Sequence, residues 1–276
     1  MFKNKFFKLK KRWWVLIFIF LLFVIYWIPR PSHDRNWATD QKILPYAEIE
    51  ENLVKIHNVR NFNYRSVTDY DIAYYDAVYD LDKIKNMYYI VEPFGDWEGA
   101  AHTFFSFEFE DNQFVSISVE IRKEQGEEFS AWKGLFKQYE LMYVIGDEKD
   151  LVKLRSNYRQ DPVYVYPANT TKDKMQVLFL SMIARANSLK NKAEFYNTLT
   201  STCTTNLASH INKVAPGRVP FSFKLLTPGY SDQLAYELDL IQKQGSFEQT
   251  KAYYHINDRA LEYADDPDFS QLIRKK

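Results

Sequence analysis

Residues 101–122 read Ala101-His102-Thr103-Phe104-Phe105-Ser106-Phe107-Glu108-Phe109, then Glu110-Asp111-Asn112-Gln113, then Phe114-Val115-Ser116-Ile117-Ser118-Val119-Glu120-Ile121-Arg122. In both runs the odd positions are apolar: Phe105, Phe107 and Phe109 in the first, Val115, Ile117, Val119 and Ile121 in the second. Successive side chains of a strand point to opposite faces. The alternation therefore spells two strands, with a polar turn around residues 110–113. For the two apolar sets to share one core, opposed residues must have the same parity. The even positions then share the other face, His102, Phe104, Ser106 and Glu108 beside Ser116, Ser118, Glu120 and Arg122. A loop of about three residues places His102 opposite Glu120 or Arg122, depending on where it starts. A carboxylate beside an imidazole fixes its tautomer and favours its charged form. A polar sheet face without a chemical role gives the same pattern.

Outward from this hairpin, residues 53–64, 87–92, 139–145 and 163–166 read as further strands, and 147–158 as a helix. Met175, Leu178, Phe179, Met182, Ile183, Ala186 and Leu189 recur at i, i+3, i+4, i+7, which predicts an amphipathic helix over 172–190. Residues 204–214 and 231–243 read as helices too. Strands and helices mix without regular βαβ alternation, so the expected class is α+β on an antiparallel sheet. No repeat or linker interrupts 48–276, which reads as one domain, and its end, 246–276, reads as a polar appendage.

The 276 residues carry 36 basic and 36 acidic side chains, and this zero net charge hides an asymmetry. Residues 1–32 hold seven bases (Lys3, Lys5, Lys8, Lys10, Lys11, Arg12, Arg30) and no acid, so the remainder has a net charge of −7. An acidic body is ill suited to a nucleic-acid backbone. Residues 13–28 carry no charge, and at 1.5 Å per residue they span about 24 Å, close to the ~30 Å hydrocarbon core of a bilayer. Trp13, Trp14, Tyr26 and Trp27 stand at the two ends of the run, where interfacial aromatics belong. The preceding bases orient the N-terminus to the cytoplasm. A signal peptide is the alternative, but Trp27-Ile28-Pro29-Arg30-Pro31 offers no small-residue cleavage site. The expected layout is a cytoplasmic basic segment (1–12), a transmembrane anchor (13–28), a stalk (29–47) and a folded domain across the membrane (48–276).

Only eight glycines occur, and neither G-x-G-x-x-G nor G-x-x-x-x-G-K-[ST], which speaks against dinucleotide and P-loop sites. The single cysteine excludes an intramolecular disulfide framework and a multi-thiolate metal site. There is no H-E-x-x-H and no G-x-S-x-G.

That cysteine, Cys203, follows Thr198-Leu199-Thr200-Ser201-Thr202, a run of helix-capping residues, and precedes Leu207, Ile211 and Val214, which form one apolar helix face. It therefore sits at or just before a helix N-terminus, where the dipole and free N–H groups favour the thiolate. A nucleophilic cysteine also needs a histidine within hydrogen-bond reach; a buried, inert cysteine is the competing reading. His210, seven residues on, lies about 10 Å along the same helix, too far for contact. His33 falls in the stalk and His255 in the polar tail, while His57 in a candidate strand stays open beside His102. Arg60, Tyr64, Arg65, Arg155, Asn187 and Asp232 read as members of ion-pair networks, since buried charges need partners, with substrate binding as the alternative.

Arg35-Asn36-Trp37, Val59-Arg60-Asn61-Phe62-Asn63-Tyr64-Arg65, Ala101-His102-Thr103-Phe104, Ser118-Val119-Glu120-Ile121-Arg122, Phe195-Tyr196-Asn197-Thr198-Leu199-Thr200, Cys203-Thr204-Thr205 and Pro228-Gly229-Tyr230-Ser231-Asp232 follow one another in that order. Together they resemble the bacterial Lnb (lipoprotein N-acyltransferase) N-terminal periplasmic domain family, over roughly residues 30–245. The resemblance implies a permuted papain-like (NlpC-type) thiol fold in which the histidine-bearing sheet precedes the cysteine-bearing helix. The cysteine segment is also similar to that of lecithin:retinol acyltransferase-like enzymes. Carried over, Cys203 is the nucleophile, His102 the base and Glu120 the group that orients it. Arg122, on the face of His102, and Thr202 and Thr204, on either side of the cysteine, are the candidate substrate-binding residues; Thr202 stands where the family pattern has Asn.

The implied protein is a single-pass, membrane-anchored periplasmic thiol acyltransferase. It would pass an acyl chain from a membrane lipid, through a Cys203 thioester, to the N-terminal amine of a lipoprotein. No metal or cofactor is implied, and no nucleic acid. The family's full-length acyltransferases are expected to carry further membrane segments after this domain, whereas this chain ends in the polar Gln271-Leu272-Ile273-Arg274-Lys275-Lys276. A thiol amidase or peptidase of the envelope would use the same dyad with water as acceptor. A non-catalytic lipid- or lipoprotein-binding protein would use the fold alone.

Overall fold

The structure, a computed structural model, describes residues 13–14, 16–19 and 29–275. It divides into a unit Met1–Pro31 and a unit Ser32–Lys276. In the first, residues 13–14 and 16–19 are helical. The expected cytoplasmic segment (1–12) and most of the expected span (13–28) lie outside the described residues, and among those described no helix is long and apolar enough to cross a membrane.

The body is built on the hairpin. Its strands are Ala101–Phe109 (β7) and Phe114–Arg122 (β8), joined by a tight turn over Glu110–Asn112. Asp111 and Asn112 adopt φ of 60° and 61° there, a left-handed conformation that Asp and Asn tolerate. Before the hairpin come β1 (Tyr46–Glu50), β2 (Leu53–Arg60), the small pair β3 (Asn63–Tyr64) and β4 (Tyr70–Asp71), β5 (Tyr74–Asp80) and β6 (Ile84–Pro93). After it come α1 (Ala131–Leu135), β9 (Glu140–Gly146), α2 (Glu148–Lys153) running into a π-helical turn (Leu154–Arg159), and β10 (Tyr164–Pro167). The chain closes with α3 (Lys172–Asn191), α4 (Cys203–Val214), α5 (Phe223–Leu226), α6 (Ser231–Glu237), α7 (Phe247–Tyr254), α8 (Asn257–Glu262) and α9 (Phe269–Leu272).

The main sheet has the order β1-β2-β9-β8-β7-β6-β10, with β5 also on β2. Its ladders are antiparallel except β2 with β9, which pair in parallel at Arg60 and Gly146. The class is α+β, as the mixed pattern implied.

Every odd-numbered apolar residue of the hairpin from Phe105 to Ile121 lies in one core, together with the buried stripe of α3 and with Cys203 and Leu207 of α4. A buried side chain of this kind contributes roughly 1.5–3 kcal/mol. The even face is no solvent face. Phe104 and Phe114 join Ile90, Met142 and Val144 in a second core, covered by Leu151 and Val152 of α2 and by Ile256, Ala260, Phe269 and Ile273. The C-terminal residues are therefore the second layer of the fold, not an appendage. Their apolar anchors are spaced 4, 9 and 4 residues apart across short helices, so no long stripe advertises them. Glu148 gathers polar side chains under this layer: Ser106 donates to it, and Arg274 Nη1 reaches its Oε2 at 2.8 Å.

Residues of the segment read as a stalk (29–47) pack on this body from Ser32 onward. Trp37, Gln41, Leu44 and Ala47 are buried.

Candidate active site

In the sheet, Glu92 of β6 stands opposite His102 of β7. The β7–β8 ladder pairs Phe104 with Ser118 and goes no further, although β6–β7 continues to Pro93–Ala101 and β8–β9 to Arg122–Glu140. The two central strands therefore part over their last residues. Ala101 and His102 from one side and Val119, Glu120 and Ile121 from the other line a cleft of about 420 Å³ at that opening. Cys203 lines the same cleft.

Cys203 is the first residue of α4. Thr202 caps it: its Oγ1 accepts from the Thr205 N–H at 3.2 Å, and the Thr205 hydroxyl accepts from the Thr202 N–H at 2.7 Å. Such a capping box holds the first turn, and an N-cap is worth about 1 kcal/mol. Since the Thr205 N–H goes to the cap and the Asn206 N–H to Thr202 O, the N–H groups of Cys203 and Thr204 are left at the dipole's positive end without intrahelical partners.

Cys203 and His102 line the same cleft, near enough for the imidazole and the Thr103 N–H to act on the thiol. His102 Nε2 lies 3.0 Å from Glu120 Oε1 and 2.6 Å from Ser118 Oγ, which leaves Nδ1 as the nitrogen for sulfur. Ser118 in turn donates to Glu120 at 2.7 Å. Arg155, from the π-helical turn, holds the same Glu120 oxygen at 3.0 Å through Nη2 and Glu92 Oε2 at 2.5 Å through Nε. Arg159 adds a contact to the other Glu92 oxygen at 3.1 Å. A π turn places both arginines over this row of carboxylates and imidazole, and such turns recur at functional sites.

The electrostatics follow from these contacts. Burial would lower the His102 pKa, but the charge of Glu120 and the hydrogen bonds to Cys203 and Glu120 outweigh it and push it up to about 9. Burial likewise raises the Glu120 carboxyl, and the charges of His102 and Arg155 with the His102 and Ser118 hydrogen bonds turn the shift downward. Burial pushes the Cys203 thiol up; the hydrogen bond and charge of His102 and the Thr103 N–H pull it below its ordinary value. The shifts of thiol and imidazole run in the same sense, toward a thiolate–imidazolium pair with a carboxylate behind it.

The other histidines are engaged elsewhere. His57 bonds Asp76 at 2.6 Å and stacks on Tyr46. His210 sits between Tyr143 and Ser181 at 2.8 and 2.7 Å. His33 contacts Arg122, and His255 packs on Tyr164. Of the five histidines only His102 lines the cleft with the thiol.

Arg122 is placed away from it. Its Nε and Nη2 donate to the carbonyls of Gln41 and Lys42 at 3.0 and 2.7 Å, and its guanidinium lies 4.1 Å from the centre of the Trp37 ring. Those carbonyls hold the guanidinium outside the cleft, so sharing a face with His102 does not bring Arg122 to the thiol. The Thr202 hydroxyl is committed to the cap, and that of Thr204 donates to Leu225 O at 2.7 Å. Sequence reasoning missed the part of Arg155 and Glu92 in the site. Arg155 read only as a network charge, and the period-two pattern of residues 87–92 gave no reason to single out Glu92. The other network arginine, Arg60, holds Asp150 through two bonds of 2.8 and 2.9 Å. Among the described residues no group of His, Cys, Asp and Glu side chains could hold a metal ion.

One thiol at a helix start, one imidazole and one carboxylate, brought together where a sheet splits, define a Cys–His–Glu domain of α+β fold. The particular family comes from comparison. Residues 70–229, more than half the chain and inclusive of His102, Glu120 and Cys203, match the Lnb N-terminal periplasmic domain family, and the chain belongs to it. A periplasmic location for this domain follows. Neither the curated proteins nor the solved structures searched gave a match.

Proposed function

We propose that this chain is a membrane-anchored lipoprotein-modifying enzyme of the periplasm, an acyltransferase that works through Cys203, with a permuted papain-like arrangement of base before nucleophile. The observation that carries the reading is that Cys203 shares one open cleft with His102, whose Nε2 lies 3.0 Å from Glu120. Family membership and the uncharged run 13–28 support the membrane setting.

In the first half-reaction the Cys203 thiolate attacks the carbonyl carbon of a lipid acyl ester. A C–S bond forms, the ester C–O bond breaks, and the leaving alkoxide takes the His102 proton and departs as a lyso-lipid. The N–H groups of Cys203 and Thr204 face the developing oxyanion, a role that fixed donors fill well. In the second half-reaction the α-amine of a diacylglyceryl-cysteine gives a proton to neutral His102 and attacks the thioester. A C–N bond forms, the C–S bond breaks, and the thiolate returns. Glu120 keeps His102 oriented and stabilises its charged form throughout.

The test is to incubate the full-length protein with liposomes of acyl-labelled phospholipid, then add a lipopeptide with a diacylglyceryl-cysteine N-terminus. The expected result is a hydroxylamine-labile acyl group on Cys203, identified by mass spectrometry, and its passage to the peptide amine. Label released as free fatty acid with none on the peptide would assign hydrolysis instead. No acyl-Cys203 under any condition would leave the fold as a binding module.

A further inference from the structure

Every Trp and Phe exposed by half or more among the described residues of the body lies in three loops and the short helices α1 and α5 that two of them carry: Trp97 at 60%, Phe129 at 52%, Trp132 at 73%, Phe136 at 62%, Phe221 at 78% and Phe223 at 70%. Other exposed large apolar side chains of the body are aliphatic or Tyr, and are scattered. All three loops border the cleft of Cys203. Trp97 and Phe129 line it directly, as do Ala131 beside Trp132 and Leu226 just after Phe223. Trp132 and Phe136 stack with ring centres 6.5 Å apart. The loops are also joined to one another and to the cysteine segment. Gly229 N–H donates to Gly99 O at 3.0 Å, so close that a Cβ on Gly229 would strike the backbone of Glu98, and Thr198 donates to Ala131 O at 2.7 Å.

Five of the six aromatics lie in segments that hold bases and no acid, although Glu127 and Glu128 immediately precede Phe129. Residues 129–139 and 195–231 contain no Asp or Glu, yet carry Lys133, Lys137, Lys213, Arg218 and Lys224, in a body that is otherwise net acidic. Lys133 and Lys224 reach Glu127 and Glu237 outside these segments, and Asp96 and Glu98 flank Trp97. Exposed aromatic rings with interspersed bases are the composition of a surface that enters the headgroup layer of an anionic membrane. A contiguous exposed apolar patch on a soluble domain marks an interaction site.

We infer that this rim docks the body on an anionic phospholipid surface with the mouth of the cleft against the lipid. The inference rests on the reading of the cleft as the reaction site, for it supplies the route by which an acyl ester leaves the bilayer for Cys203.

Docking is measured apart from catalysis in the full-length protein carrying Cys203→Ser. Phe223→Cys in that background gives one attachment point for an environment-sensitive fluorophore, and Ile72→Cys, 55% exposed at native Ile72 and outside the aromatic rim, gives a control. Both proteins are mixed with liposomes of phosphatidylcholine alone or with phosphatidylglycerol, with and without headgroup-level nitroxide lipid. The expected result is a blue-shifted probe at 223, quenched by the nitroxide, in the anionic liposomes, with the probe at 72 unchanged. Adding Trp132→Ala and Phe221→Ala should weaken binding about 10-fold or more, and so should a rise in salt. A probe at 223 as aqueous as that at 72 overturns the inference. A blue shift without quenching that grows with protein concentration also overturns it and assigns the rim to a second copy of the chain. Because the variant cannot form a thioester, docking can succeed where acyl transfer fails, and the reverse.

Discussion

Replacing Glu120 by Gln removes a charge while keeping an oxygen beside His102, and its consequence can be worked out from the site. His102 stands at about 9 against an ordinary 6.5. That difference corresponds to roughly 3 kcal/mol in favour of imidazolium, at 1.36 kcal/mol per unit. Glu120 supplies the largest part of the upward pull, through a contact of 3.0 Å. In the variant, Arg155 stays cationic on the other side, still held by Glu92, and now opposes the imidazolium with nothing between. His102 should fall by at least a unit, and the thiolate, having lost its counter-charge, should return toward the ordinary thiol range near 8.5. At pH 7 only about 3% of such a thiol is ionised, so alkylation by iodoacetamide should slow by roughly 10- to 30-fold. Above pH 9.5 the two proteins should react at the same rate. The assay is the alkylation rate from pH 5 to 10, with Cys203→Ser as blank and the melting temperature as a check on folding. Superimposable profiles would refute the role given to Glu120. A uniform slowing at every pH would assign the effect to access rather than charge. A native Cys203 titrating at 8.5 or above would refute the ion pair itself.

His102→Asn should return the thiol to at least its ordinary range and lower acyl-enzyme formation by about 10²–10⁴-fold, measured by mass spectrometry of Cys203. Turnover of the native protein should fall on the alkaline side near pH 9, where the imidazolium that protonates the leaving alkoxide is lost; a pH–rate profile checks this. Arg155→Met leaves Glu92, fully buried, with only Arg159, and should cost roughly 3 kcal/mol in denaturant unfolding. His210 is buried and held down to about 4 from 6.5, first by burial and then by the charges of Lys213 and Arg185. Its unfolded form binds a proton at higher pH than the folded one, so its contribution is intact above pH 6.5 and is lost as pH falls toward 4, by up to roughly 3 kcal/mol. His210→Gln should flatten that acid loss in melting curves.

How much of this was legible follows from how local each signal is. The hairpin strands begin and end where the alternation of Phe105, Phe107, Phe109, Val115, Ile117, Val119 and Ile121 placed them, because a two-residue period records one buried face. The stripe of α3 and the capped start of α4 were equally readable from neighbouring residues. What the alternation did not show is that the even face is covered as well. Phe104 is fully buried, under the Arg155 guanidinium and in a core shared with Phe269 and Ile273, more than 160 residues away. Strand β5 and the pairing of β2 with β9 were unreadable for the same reason, since Tyr74–Asp80 alternates weakly and a parallel contact leaves no local trace. The region 53–64 read as one strand, yet the chain breaks at Asn61 and Phe62, where the backbone N–H of Phe62 turns to Asp150 at 2.8 Å.

The site shows the same division. His102 and Glu120 share a face by parity, and that much the sequence pattern held. Cys203 belongs to the helix layer on the opposite face, and a continuous sheet would have kept thiol and imidazole apart. They meet because β7 and β8 stop pairing at Phe104 and Ser118 while their outer neighbours continue. Each freed strand end is then held from its far side, β7 by β6 and β8 by β9, so the opening stays fixed without a backbone hydrogen bond across it, and the His102 side chain spans it to Ser118 and Glu120. Arg155 bridges it too, through Glu92 on β6 and Glu120 on β8. Loss of that bridge should therefore loosen the distance between imidazole and carboxylate before it unfolds the sheet. The same gap that joins the two layers also leaves the thiol open to whatever the aromatic loops bring against it.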